Sequence, residues 1–184
     1  PGTGKSTVAR IMGRVFHSLG IISNPGVREI RGLDLKGSYL GQTKDNVNDL
    51  FQKSEGQVVL IDEIYGLRQS GQSEQDSFAR EAIDALVGCM TDPRNASTVL
   101  VIAGYKEATD EFLASNDGLA SRFPYEIAFP NYTAEECVEI LHRLMVREHY
   151  NWPREEADGF DALALEMFAT LAVHPGFANA RTVG

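Results

Sequence analysis

Pro1-Gly2-Thr3-Gly4-Lys5-Ser6-Thr7 is the stretch that decides the fold. It is the second half of G-x-x-x-x-G-K-[ST], the phosphate-binding loop that leads from a strand into a helix. Its glycines let backbone N–H groups curl around a polyphosphate. The lysine reaches the β- and γ-phosphates, and the hydroxyl after it ligates Mg²⁺. The helix that follows adds its positive N-terminal end. The leading glycine and its strand would precede Pro1, so the chain reads as cut from a longer protein, with one wall of the nucleotide site outside it.

Working outward, Val8, Ile11, Met12, Val15, Phe16 and Leu19 recur at helical spacing, which predicts a helix over Lys5 to Leu19. Gly20 and Asn24-Pro25-Gly26 end it. Val27 to Ile30 reads as a short strand, Gly32 to Gly41 as a glycine-punctuated loop, and Thr43 to Ser54 as a helix. Val58-Val59-Leu60-Ile61 and Thr98 to Ala103 are continuous apolar runs, the signature of strands covered on both faces in a parallel sheet. The stripe Phe78, Ile83, Leu86, Val87 and Met90 places a helix between them, giving the βαβ rhythm. Glu126 to Phe129 is expected as one more strand.

The character changes at Pro130. Thr133 and Glu136 form a capping box ahead of a helix striped by Val138, Leu141, Leu144 and Met145. A second helix is expected over Ala162 to Val173 and a third near Asn179. The expected division is an α/β nucleotide-binding part over residues 1–130 and a helical lid over 131–184.

Bulk properties narrow the function. The chain has 184 residues, 43% of them hydrophobic, enough for a packed core. Its net charge of −9 argues against binding nucleic-acid backbones, which takes basic surface. No apolar run approaches the ~20 residues that span a bilayer. The histidines and the two cysteines, Cys89 and Cys137, show no metal-ligand spacing. Two separated thiols fit a soluble protein of a reducing compartment, either cytoplasm or an organelle matrix.

The second chemical signal is the acidic pair that ends an apolar strand, Asp62-Glu63. One carboxylate there stands beside Mg²⁺ and the other where water attacks. Asp62 is expected to hold the ion through its water shell, and Glu63 to orient and polarise the water.

Taken together, these strings resemble an AAA+ ATPase of the CbbX-like family, which takes in red-type Rubisco activase, the sporulation protein SpoVK and the EccA ATPases of type VII secretion. The resemblance also rests on Asp34-Leu35 with Gly37-Ser38-Tyr39-Leu40-Gly41-Gln42-Thr43, Glu81-Ala82-Ile83-Asp84, Ile102-Ala103-Gly104-Tyr105-Lys106, Gly118-Leu119-Ala120-Ser121-Arg122-Phe123, Phe129-Pro130-Asn131-Tyr132 and Ala178-Asn179-Ala180-Arg181. They run in family order along nearly the whole chain.

The resemblance implies a parallel five-stranded P-loop sheet, whose first strand lies outside this chain, and a helical C-terminal subdomain. It implies ATP and Mg²⁺ as ligands and a protein substrate drawn through the pore of a homo-hexamer. Tyr39 and Leu40 resemble the aromatic pore loop, Arg122 the arginine finger, and Arg181 the sensor-2 arginine of the lid. For sensor 1 the chain departs from the usual Asn or Thr, leaving Tyr105 or Asn116. Gly66 to Asp76 reads as either a second pore loop or a surface loop. Two other readings are an inactive scaffold module of a larger protein and a nucleic-acid motor. Acidic charge and the aromatic loop count against the motor. A sheet without its first strand exposes an edge, so residues 1–184 alone are expected as monomers or loose associations.

Overall fold

The computed structural model describes residues 2–39, 41–67, 74–150, 157–174 and 177–179. Val58, Val59, Leu60 and Ile61 are at most 1% exposed. They form the middle of β2 (Val58–Asp62), the central strand of a parallel sheet ordered β1-β2-β3, with β1 at Val27–Arg31 and β3 at Val99–Ile102. Val58 pairs with Val27 on one side and Val99 on the other, and Asp62 with Arg31 at the C-terminal end. The burial explains why the run lacks alternation: both faces of β2 are covered.

Successive side chains of β2 go to opposite faces. Val59 and Ile61 join Val47, Leu50 and Phe51 of α2 (Gln42–Gln52) and Ile83 and Leu86 of α3 (Glu74–Thr91) in the larger core. Leu60 turns the other way, onto Ala9 of α1 (Lys5–Ser18), with Ala103, Val27 and Val101. The result is three layers, helix, sheet and helix, as a P-loop fold requires. After β3 come α4 (Lys106–Ala114) and the single turn α5 (Asp117–Ala120).

The chain divides into two compact units, Ser6–Glu126 and a second made of Pro1–Lys5 with Ile127–Gly184. The second unit is helical. In it α6 (Ala134–Arg147) packs on α7 (Ala157–Ala172) through Cys137, Val138, Ala164 and Phe168. The capping box that starts α6 is formed: Thr133 Oγ1 accepts from the Glu136 N–H, and Glu136 Oε2 accepts from the Thr133 N–H at 2.8 Å.

Two expectations need correcting. Glu126 to Phe129 is not a strand, and no regular structure runs from Pro124 to Asn131. A strand exists only by pairing, and this segment has no strand partner among the described residues. Tyr125 and Ile127 stay 92% and 61% exposed. β3 likewise is only half-buried along its length, because among the described residues it pairs on one side only. The third lid helix lies largely outside the described residues, which reach Asn179. Residues 68–73 of the expected loop also lie outside them. Its flanks are a 3₁₀ turn at Ile64–Leu67 and the start of α3 at Glu74.

Candidate nucleotide and hydrolysis site

The phosphate loop has the backbone its sequence demands. Gly2 and Gly4 take φ of 72° and 87°, flanking Thr3, which is 8% exposed. Left-handed residues alternating with ordinary ones turn consecutive N–H groups to one side and make an anion-binding concavity. Lys5 opens α1, whose first turn carries no acid to oppose a phosphate. Lys5 and Ser6 are half-buried and Thr7 is exposed. Pro1 lies outside the described residues. A loop of this shape followed by a lysine and a hydroxyl fits a nucleotide polyphosphate. One hydroxyl and one carboxylate, Ser6 and Asp62, are hard oxygen donors of the kind Mg²⁺ takes alongside phosphate and water. Among the described residues, no group of three or more His, Cys, Asp or Glu could hold a metal by itself.

The acidic pair lies at the C-terminal end of the central strand, where ligands gather in open α/β sheets. Asp62 is half-buried and Oδ1 accepts from the Glu63 N–H at 2.9 Å. Glu63 is exposed and adopts φ 50°, a left-handed conformation that costs a non-glycine residue energy and marks functional positions. Three contacts hold it there. Its carbonyl accepts from the Gly66 N–H at 2.8 Å, and the next N–H, of Ile64, donates to Ala103 O at 3.2 Å. Gly32, just beyond β1, lies under the same peptide: a Cβ there would stand 2.8 Å from Glu63 O and 3.1 Å from Ile64 Cα. The Glu63–Ile64 peptide is thus fixed from both neighbouring strands.

Two groups around Glu63 were not singled out from sequence. Arg31, in register with Asp62, forms an ion pair with Asp34 at 3.1 Å. The hydrogen bond and charge of Asp34 raise the guanidinium pKa, with a smaller contribution from Glu63; in return Arg31 lowers that of Asp34. Tyr65 stacks on Tyr105 with ring centroids 5.9 Å apart. Burial pushes the Tyr65 phenol upward, and the charges of Glu63, Tyr105 and Asp62 add to it. Their signals were present as a charged residue ending β1 and an aromatic two places after the acidic pair, but neither spacing is specific.

Of the two sensor-1 candidates, Asn116 is committed to a cap. Its Oδ1 accepts from the N–H groups of Gly118 and Leu119 at the start of α5. Tyr105 is 55% exposed on its stack with Tyr65. Arg122 is half-buried, and its Nη1 donates to Gly118 O at 2.7 Å and to Ser121 Oγ at 3.3 Å. Among the described residues no carboxylate pairs with it, so the guanidinium is aimed by its own turn rather than neutralised. Tyr39 is 64% exposed. Its loop is anchored by the Gly37 N–H donating to Thr43 Oγ1 at 2.8 Å and the Gln42 N–H donating to Tyr39 O. Leu40 and Arg181 lie outside the described residues. A separate groove of about 590 Å³ between α2 and α3, lined by Lys44, Asn48, Glu81 and Asp84 among others, contains none of the sequence-predicted site residues.

Comparison with known proteins agrees with this geometry. The profile of the ATPase family associated with various cellular activities (AAA) matches residues 1–131. Stage V sporulation protein K of Bacillus subtilis is 40% identical over 155 residues, 84% of this chain and 47% of that protein. The ESX-3 secretion system protein EccA3 of Mycobacterium tuberculosis is 36% identical over 172 residues, 94% of this chain and 26% of the relative. The ESX-2 secretion system protein EccA2 of Mycobacterium bovis is 36% identical over 169 residues, 91% of this chain and 26% of the relative. The chain therefore spans about half or less of the length of these relatives. Phosphate loop, parallel sheet, acid-ended central strand and these similarities agree: the chain belongs to the AAA family of ATPases.

Proposed function

We propose that this chain is the ATP-hydrolysing module of a protein-remodelling ring, with a nucleotide-binding part over residues 1–130 and a lid over 131–184. The observation that carries the reading is Glu63. A carboxylate directly after the Asp62 end of a buried strand is held in a left-handed conformation from both neighbouring strands. Such strain is maintained where a side chain must be aimed.

In this reading Gly2, Thr3 and Gly4 present N–H groups to the polyphosphate. Lys5 carries its positive charge to the β- and γ-phosphates, and Ser6 and Asp62 would hold Mg²⁺, which would supply positive charge against the negative charge developing on the phosphates. Glu63 accepts a proton from the attacking water as its oxygen bonds to the γ-phosphorus. The bond from that phosphorus to the β,γ-bridging oxygen breaks, leaving ADP and phosphate. Arg122 enters a neighbouring subunit's site and stabilises charge on the transferred phosphoryl, as arginine fingers do. Arg181 serves the γ-phosphate from its own lid. With the Asn116 oxygen committed to α5, Tyr105 is the sensor-1 group.

The exposed Tyr39 ring grips a polypeptide by contact area, with little preference for sequence. An arginine that serves a neighbour's site requires head-to-tail association, and the family resemblance makes the ring a homo-hexamer. Two of the similar proteins are named for secretion systems, which fits a protein substrate.

The test is ATP turnover per subunit of the full-length protein against its concentration, with Glu63→Gln alongside. Turnover should rise cooperatively with concentration, and the variant should bind ATP yet lose at least ~100-fold in turnover. Undiminished hydrolysis in Glu63→Gln would sink the assignment. Tight ATP binding without turnover in the wild type would point instead to a nucleotide-gated scaffold. Tyr39→Ala should keep basal turnover and lose remodelling.

A further inference from the structure

We propose that Tyr132 is a positioning residue for the phosphate loop: its hydroxyl fixes the Thr3–Gly4 peptide so that the Gly4 N–H faces the nucleotide phosphates. This deepens the ATP-binding reading above and rests on it.

The observation is a hydrogen bond between residues 129 positions apart. Tyr132 Oη donates to Thr3 O at 3.3 Å. The carbonyl of Thr3 and the N–H of Gly4 belong to one planar trans peptide and point in opposite directions. Holding the carbonyl on the phenol therefore turns the Gly4 N–H away from the phenol, the side on which the phosphates would lie. The same hydroxyl rests against Gly4, where a Cβ would be 3.5 Å from it, and Gly4 is one of the two left-handed glycines that shape the loop.

Tyr132 is itself held. Its N–H donates to Asn179 Oδ1 at 2.8 Å, and Asn179 Nδ2 donates to Asn131 Oδ1 at 3.1 Å. Asn179 is 1% exposed and adopts φ 55°, a left-handed conformation that asparagine tolerates better than most residues. The Tyr132 ring packs against the cluster of Cys137, Val138, Ala164 and Phe168. A buried polar network with its partners in place fixes orientation in a way that apolar packing does not. Packing alone has no use for the phenolic oxygen, and this oxygen is what reaches the loop. Neither Asn179 nor Tyr132 has assigned chemistry of its own, and the network gives them a joint role in setting the phosphate loop.

The test separates hydroxyl from ring. ATP, ADP and AMP are titrated against the full-length wild type, Tyr132→Phe and Asn131→Ala, AMP by competition, and thermal melting is followed for each. Tyr132→Phe keeps the packing and removes one neutral hydrogen bond, so ATP and ADP should bind about 3- to 10-fold more weakly. AMP lacks the β- and γ-phosphates and should change less than twofold, with melting lowered by no more than the few degrees that one neutral hydrogen bond accounts for. Asn131→Ala, at an exposed position, should weaken ATP about 2-fold in the same direction, and it carries the test if Tyr132→Phe melts early. ATP affinity within twofold of wild type in Tyr132→Phe, or an equal loss for AMP, overturns the inference and leaves ATP binding standing. A wild type that does not bind ATP overturns both.

Discussion

At the scale of single residues, the candidate hydrolysis site is governed by space around one peptide. Gly32 has no room for a side chain because the Glu63 carbonyl and Ile64 Cα lie where a Cβ would go. Gly32→Ala must displace that backbone. Stability should fall by about 1–3 kcal/mol in urea unfolding, with ATP turnover falling as well. Tyr65 gives a prediction of pH dependence. Burial, then the nearby carboxylate of Glu63, favours its neutral phenol, so its folded pKa lies above the unfolded value of about 10. The resulting stability is fully present below pH ~10 and is lost as pH rises through the folded value. Urea midpoints of the wild type should therefore drop more between pH 8 and pH 10.5 than those of Tyr65→Phe. The acidic pair itself was legible in the sequence, since an apolar run ending in Asp-Glu is a local pattern. The left-handed Glu63 was not, because its conformation is imposed by Gly32 and Ala103 from two separate segments as well as by Gly66 of its own turn.

At the scale of elements, local chemistry was the better guide. The capping box of Thr133 and Glu136 marks the start of α6 in sequence and in structure. Thr133→Ala removes the acceptor for the Glu136 N–H and should cost about 1 kcal/mol in the unfolding of the lid, measured by urea titration of helical circular dichroism. α1, α2 and β2 begin and end within two residues of where periodicity and turn residues placed them. Those signals are repeats of 3.6 or runs of apolar residues, and they depend on little beyond the segment itself. The exception, Glu126 to Phe129, has a strand-like composition without a strand partner among the described residues. Helices satisfy their own hydrogen bonds, whereas a strand depends on its neighbour.

At the scale of the whole molecule, burial decides the chemistry of the two thiols. Cys89 is 8% exposed and its Sγ donates to Asn48 Oδ1; Cys137 is fully buried, and neither is in a disulfide. Burial raises the pKa of both thiols, with Asp92 adding to the effect at Cys89 and Glu136 at Cys137. At pH 8 a thiol reagent should modify the native protein at least ~10-fold more slowly than the urea-unfolded chain, since the thiolate is the reactive form. Modification at equal rates would show that the two cores open freely. Among the described residues no helix is long and apolar enough to cross a membrane.

The sequence by itself determined the fold class, the phosphate loop, the acidic pair and the capping box of Thr133 and Glu136, because each is a pattern of neighbouring residues whose chemistry acts over a few positions. The tertiary structure decided how many strands pair, that Glu63 is held left-handed by Gly32 and Ala103, and that Tyr132 reaches Thr3. Those features depend on which distant segments meet. Periodicity records which face of an element is apolar, but not which atom of another segment will lie against it.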